Sequence, residues 1–182
     1  MNFSSKALIS TLLFTVAGCG SGSDGGVFDP STPRVTDLRI DPGSISVGEQ
    51  ALVRLAFEPY VERSFDPVTG EEDGETIHSA TVVVRLPEGL DYVADTSEVD
   101  TEALDGFEKR NPNTVELCSD NSRALTYLFE GDELSSNVEN QIRFTVQSYQ
   151  SEGSIRVEAY ADDFISIPCN ITGEADEILT LR

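Results

Sequence analysis

Four side chains in this sequence have the chemistry for nucleophilic, redox or soft-metal work: Cys19, Cys118, Cys169 and the single histidine, His78. Nucleophilic catalysis needs a base beside the nucleophile and a third group to orient it. His78 is the one imidazole on offer. It shares sequence parity with Ala80, Val82, Val84 and Leu86, which puts it at the start of a strand, facing inward or at the rim, as a structural histidine. No Gly-x-Ser-x-Gly elbow, Gly-rich phosphate loop or zinc-ligand spacing is present. A glycosidase would need only two carboxylates, but among 33 acidic residues no pair stands out. The sequence therefore favours a chain with no catalytic residues, and a hydrolase is the weaker alternative.

Hard-cation chemistry has one candidate place. The segment 66–75 concentrates oxygen ligands beside Gly70 and Gly74, and calcium takes six to eight oxygens at a flexible turn. Asp66, Glu71 and Asp73 are the candidate calcium ligands, although their spacing is not that of an EF-hand. The competing reading is a mobile, hydrated connection. Asp162-Asp163 and the run from Asp95 to Glu108 are read the same way. No other cofactor is implied.

The elements that must position these residues begin with an export signal. Lys6, the apolar run from Ala7 to Phe14 and the small residues before Cys19 supply the cationic start, apolar middle and cut site of a secretory segment. That run is too short for a permanent span, which takes about 20 apolar residues. Val16-Ala17-Gly18-Cys19 resembles the lipobox of bacterial lipoproteins. The resemblance implies that the Cys19 thiol is linked to diacylglycerol, that residues 1–18 are removed and that the new amino terminus is acylated. Two or more acyl chains anchor a protein stably where one does not. Gly20 stands where an aspartate would favour inner-membrane retention, so the resemblance points to the outer membrane, on its periplasmic face or at the cell surface.

Residues 20–33, rich in Gly, Ser, Asp and Pro, have almost nothing to bury and form a tether reaching about 20 Å. Residues 19–33 are thus a lipidated linker and 34–182 one folded domain. With Cys19 committed to lipid, an even pair of cysteines remains in an oxidising compartment. Cys118 and Cys169 are expected to form a disulfide, rather than a metal or redox pair, since no Cys-x-x-Cys occurs. The formal charge is −21, and loss of Lys6 with the signal makes the mature chain more acidic still. Nucleic acid is excluded as a partner, because phosphate recognition rests on clustered Lys and Arg. The Asn170-Ile171-Thr172 sequon is read as chance.

From Arg34 onward, short period-two segments recur between turn residues. Ile142, Phe144 and Val146 alternate with polar neighbours. Ala51, Val53, Leu55 and Phe57 alternate with Gln50, Leu52, Arg54 and Ala56, and Val82, Val84 and Leu86 with Thr81, Val83 and Arg85. Further strands are expected at 35–40, 114–118, 124–130, 154–161 and 177–181, with little helix. The pattern predicts an all-β, immunoglobulin-like antiparallel sandwich of about seven to nine strands. Ser46-Val47-Gly48-Glu49-Gln50, Ala80 to Val93 with its Leu86-Pro87-Glu88-Gly89-Leu90 turn, Ile142 to Val146 and Gly153 to Val157 resemble the conserved-repeat domain of bacterial surface proteins. The resemblance spans about residues 36–163 and implies an immunoglobulin-like sandwich. The acidic insertion 62–76 departs from the family pattern. Together these features imply a lipid-anchored envelope module that meets a protein or polysaccharide partner. A ligand- or divalent-cation-binding lipoprotein is the alternative.

Overall fold

A computed structural model describes residues 32–101, 106–137 and 139–182. Cys19 lies outside the described residues. In chain order the strands are β1 (Arg34–Asp41), β2 (Ser44–Ile45), β3 (Gln50–Glu58), β4 (Val61–Phe65), β5 (Glu72–Ile77), β6 (Ala80–Leu86) and β7 (Leu90–Tyr92). They continue with β8 (Glu98–Asp100), β9 (Glu108–Lys109), β10 (Thr114–Leu117), β11 (Arg123–Phe129), β12 (Asn140–Ser148), β13 (Gly153–Asp162) and β14 (Ala175–Leu181). Two 3-10 turns, Gly131–Glu133 and Pro168–Asn170, are the helical elements among the described residues.

The expected sandwich is present. One sheet runs β1-β3-β12-β8-β9, with β7 also paired to β12, and the other runs β10-β11-β6-β13-β14-β2. All pairings are antiparallel except β14 with β2. The count of 14 strands among the described residues exceeds the seven to nine expected. The surplus is five pieces of two or three residues or of insertion origin that carry no period-two signature, together with β7, which follows the Pro-Glu-Gly turn. That turn forms as expected: Leu90 donates to the Pro87 carbonyl at 3.3 Å, and Gly89 takes φ +106°.

Alternation builds the core. Val53, Leu55 and Phe57 on β3 and Ile142, Phe144 and Val146 on β12 face Val82, Val84 and Leu86 on β6 and Leu125, Tyr127 and Phe129 on β11, all essentially sealed from solvent. Each such side chain contributes about 1.5–3 kcal/mol by leaving water. Tyr127 brings a hydroxyl into this core, and Ser97 of the opposite sheet's margin meets it at 2.9 Å. Burial drives the Tyr127 phenol well above its ordinary range.

Strand β6 is closed on its second face as well. Val83, opposite the main core, is fully buried beside Ala124, Cys118 and Ile171. Its neighbour Thr126 is buried too, and its Oγ1 has no hydrogen-bond partner among the described residues.

The acidic insertion 62–76, whose segment 66–75 reads alternatively as a mobile connection, lies in the β4–β5 hairpin, with Val61 paired to Ile77 and Arg63 to Glu75. Its charged residues fit because a hairpin outside the sandwich needs no buried face. Gly131 seats its base: a Cβ there would lie 1.9 Å from the Ile77 carbonyl oxygen, so only glycine permits that approach.

Two buried hydroxyls predict opposite signs in chemical denaturation. Tyr127→Phe should destabilise by about 1–3 kcal/mol, because Ser97 loses its partner in a dry site. Thr126→Val should stabilise by about 1 kcal/mol, because it removes an unsatisfied group at nearly constant shape.

Candidate functional site

The cysteines come together as expected. Cys118 follows β10 and Cys169 lies in the second 3-10 turn, and they form a disulfide with Cα atoms 5.5 Å apart. The Cys118 N–H donates to the Ser122 carbonyl at 2.8 Å, closing the β10–β11 turn, in which Asn121 takes φ +63°. The bond holds the connection between β13 and β14 over the outer face of β6 and β11. Under it Ile171, Ile165 and Tyr160 join Val83 and Ala124 in a second small core. Both sulfurs are thus committed to the scaffold.

His78 sits between β5 and β6, half-exposed at the rim; the strand itself begins two residues later at Ala80. Its ring stacks on Tyr60 at 4.7 Å, its Nε2 lies 3.3 Å from a Glu62 carboxylate oxygen, and its backbone N–H donates to the Tyr60 carbonyl at 3.0 Å. These contacts clamp the hairpin base.

The candidate calcium residues lie in and beside the hairpin turn. Asp66 Oδ1 accepts from the Val68 N–H at 2.6 Å and the Thr69 N–H at 3.2 Å, so this carboxylate shapes its own turn. Glu71 and Asp73 are exposed. Among the described residues no three His, Cys, Asp or Glu side chains gather closely enough to hold a metal ion. In the run 95–108, Asp95 accepts from Asn111 Nδ2 at 2.8 Å and Glu98 from Arg143 Nε at 2.6 Å.

Charge concentrates differently at the C-terminal end of β13. There Glu174 accepts from the Val35 N–H at 2.8 Å, fastening the start of β1 to the β13–β14 connection. Burial raises the Glu174 carboxyl above its ordinary value, against the lowering pull of the Val35 and Ala161 amides, and Asp162 adds repulsion. Burial and Asp162 likewise raise Asp163. Glu133 goes the other way: burial pushes it up, but the Glu130 N–H and Arg110 outweigh that and leave it below the usual range.

Arginines are largely consumed in pairs. Arg85 reaches Ser122 Oγ at 3.1 Å and also bonds Asp120, and Arg110 holds Glu133 at 3.0 Å while its guanidinium lies over the Phe129 ring at 4.5 Å. Arg123 meets Asp91 at 2.6 Å, and Arg143 covers the Phe107 ring at 3.7 Å. A groove of about 450 Å³ runs past Arg85, Glu88, Asp120, Arg156 and Glu158, and a smaller one of about 210 Å³ past Glu58, Ser136 and Glu139. In the larger groove Arg85 and Arg156 are already paired with carboxylates, and the charged lining of the smaller is acidic, so neither offers free cations to phosphate.

No protein-family model matches the chain, and no curated protein is significantly similar to it. Similar solved structures include the N-terminal domain of the Streptococcus gordonii adhesin Sgo0707, at TM-score 0.46 and 18% identity over 83% of this chain. The match spans about a third of that structure, 32%. A cohesin module from a Clostridium perfringens family 33 glycoside hydrolase has TM-score 0.47 and 10% identity, covering 83% of this chain and 97% of the module. The collagen-binding subdomain of the Enterococcus faecalis surface protein ACE has TM-score 0.38 and 12% identity over 79% of this chain and 93% of its own.

One feature escapes the alternation pattern because both its faces read as a strand like any other. On β10, Val115 is 44% and Leu117 66% exposed. Only the place of β10 at the end of its sheet leaves them uncovered.

Two outcomes follow. Reducing the protein, or replacing both Cys118 and Cys169 with serine, should cost about 4 kcal/mol by the loop-closure argument for 51 residues, and amide exchange should accelerate first in residues 163–174. Glu174→Gln keeps the acceptor for Val35 but removes the charge. The raised Glu174 carboxyl makes the native protein gain stability as pH falls through its folded value, with the gain complete below the unfolded value. The variant should therefore be at least as stable at pH 7 and lose that gain between pH 7 and 4 in thermal melts.

Proposed function

We propose that this chain is a lipid-anchored envelope module that binds another envelope or extracellular macromolecule and performs no catalysis. One observation carries the reading. The groups with reactive chemistry are built into the scaffold, Cys118 and Cys169 in their disulfide and His78 in the hairpin clamp, while large apolar side chains stand exposed on a strand edge and at loop tips. Such placement suits recognition.

Anchoring at Cys19 would set how the domain faces the membrane. β1 begins at the end of the sandwich that carries Glu58, Glu139 and Glu174, and β14 finishes at the other end beside Gly153. β13, ten residues long, spans about 33 Å between the ends. A tether leading from Cys19 to Arg34 would reach the sandwich at its acidic end. Anionic lipid would repel that end, holding the domain clear of the bilayer and turning Val47 and Tyr149, both exposed at the far end, toward a partner.

Metabolic labelling with a fatty-acid analogue tests the anchor: label is expected on the wild-type chain and absent from Cys19→Ser, which should leave the membrane fraction. Persistent label on that variant would refute attachment at Cys19. Crosslinking in intact cells should capture defined adducts, and their absence with crosslinkers on every exposed face would sink the binding role.

A further inference from the structure

The two large sheets end in edges that differ in how they are guarded. Exposed edges invite pairing with foreign strands, and proteins blunt them with bulges, charge and brevity. β1 carries a register shift between Val35 and Asp37 and the charges of Arg34, Asp37, Arg39 and Asp41. β2 and β9 run for two residues, those of β9 being Glu108 and Lys109, and β7 for three. β10 is the least guarded: of its four residues only Glu116 is charged, and no register shift interrupts its pairing with β11 from Thr114 to Leu117.

Its backbone phase makes the edge usable. The Cys118 N–H donates to Ser122, and Leu128 finds the Asn113 side chain at 2.8 Å where the ladder would continue. In an antiparallel ladder the groups that face the neighbour alternate by two. Thr114, Glu116 and Cys118 therefore face β11, and the N–H and C=O groups of Val115 and Leu117 point away from it. Val115 lies opposite Leu125, a main-core residue, so its side chain and that of Leu117 prolong the core face beyond the last strand. The disulfide at Cys118 holds the strand in place.

We infer that β10 accepts an added β-strand from a partner, and that this strand carries a lysine or arginine between two apolar residues. The inference rests on the chain being an interaction module. Apolar residues beside Val115 and Leu117 would complete the core face, and the cation between them would lie beside Glu116 on the outer face. Charge selects against a second copy of this chain. Symmetric pairing centred on Glu116 sets Glu116 against Glu116 of the other copy, and pairing centred on Val115 still brings together two domains of strongly negative charge.

The test uses the purified, disulfide-intact protein and the capped synthetic peptide Thr-Val-Lys-Val-Lys-Val-Thr, with Glu in place of Lys as control. The lysine peptide is expected to slow amide exchange at Val115 and Leu117, to bind more weakly as salt rises, and to lose at least tenfold in affinity to both Val115→Pro and Leu117→Lys. Val115→Pro removes an N–H that β11 does not use, so its melting curve should stay near wild type; Leu117→Lys serves if it does not. Absence of protection at those two amides, equal binding of the Glu peptide, or protection by self-association without peptide would each overturn the proposal. Photo-crosslinkers at Leu117 and Tyr149 in cells separate it from the broader reading. Adducts from Leu117 support it, whereas adducts from Tyr149 alone overturn the edge and leave the interaction module standing.

Discussion

The structure depends on closing β6 from both sides. Its inward residues, Val82, Val84 and Leu86, meet the opposite sheet, and its outward residues Thr81 and Val83 are buried as well. A sheet with one face in water would leave Val83 exposed. The cover is the connection between β13 and β14, a stretch whose own apolar content is small: Ile165 and Ile171 pack inward while Phe164 and Ile167 remain in solvent. So few contacts would not offset the entropy of ordering about a dozen residues, at about 1–2 kcal/mol each. The Cys118–Cys169 bond shifts that balance by restricting the unfolded chain before any contact forms.

The same bond decides what the surface offers. It ties one end of β10 to the cover, so the terminal strand of the sheet is held rather than frayed. The other edges are short, bulged or charged. Across the rest of the surface the ten arginines of the chain are mostly bound to neighbouring carboxylates, with Arg110 and Arg143 also stacked on aromatic rings. The net field is acidic and most of the cations are paired. Attraction must then come from a partner's cations, or from apolar groups where the edge leaves them open.

Much of the architecture was legible because alternation is a local signal. The strands at 35–40, 51–57, 82–86, 124–130, 142–146 and 154–161 appear within a few residues of where period two places them, and the Gly89 turn forms with the backbone its glycine permits. The pairing of Cys118 with Cys169 stands as the sequence analysis expected it. The acidic hairpin was not legible. Its residues alternate weakly, are mostly charged and are stabilised by cross-strand bonds such as Ser64 Oγ to the Gly74 carbonyl, together with the His78–Tyr60 stack at its base. β8 and β9 escaped notice because two or three residues cannot display a period.

The amino-acid order alone determined which residues face inward along each strand and the acidity of the whole, since each rests on composition or on neighbours a few positions apart. Only the tertiary structure decided that Val83 is buried while Val115 and Leu117 are not, although all three are apolar residues in strands. Exposure depends on whether something lies against a face. For Val83 that something is a loop about 80 residues further along the chain, held by a covalent bond, and for β10 it is the absence of a next strand among the described residues.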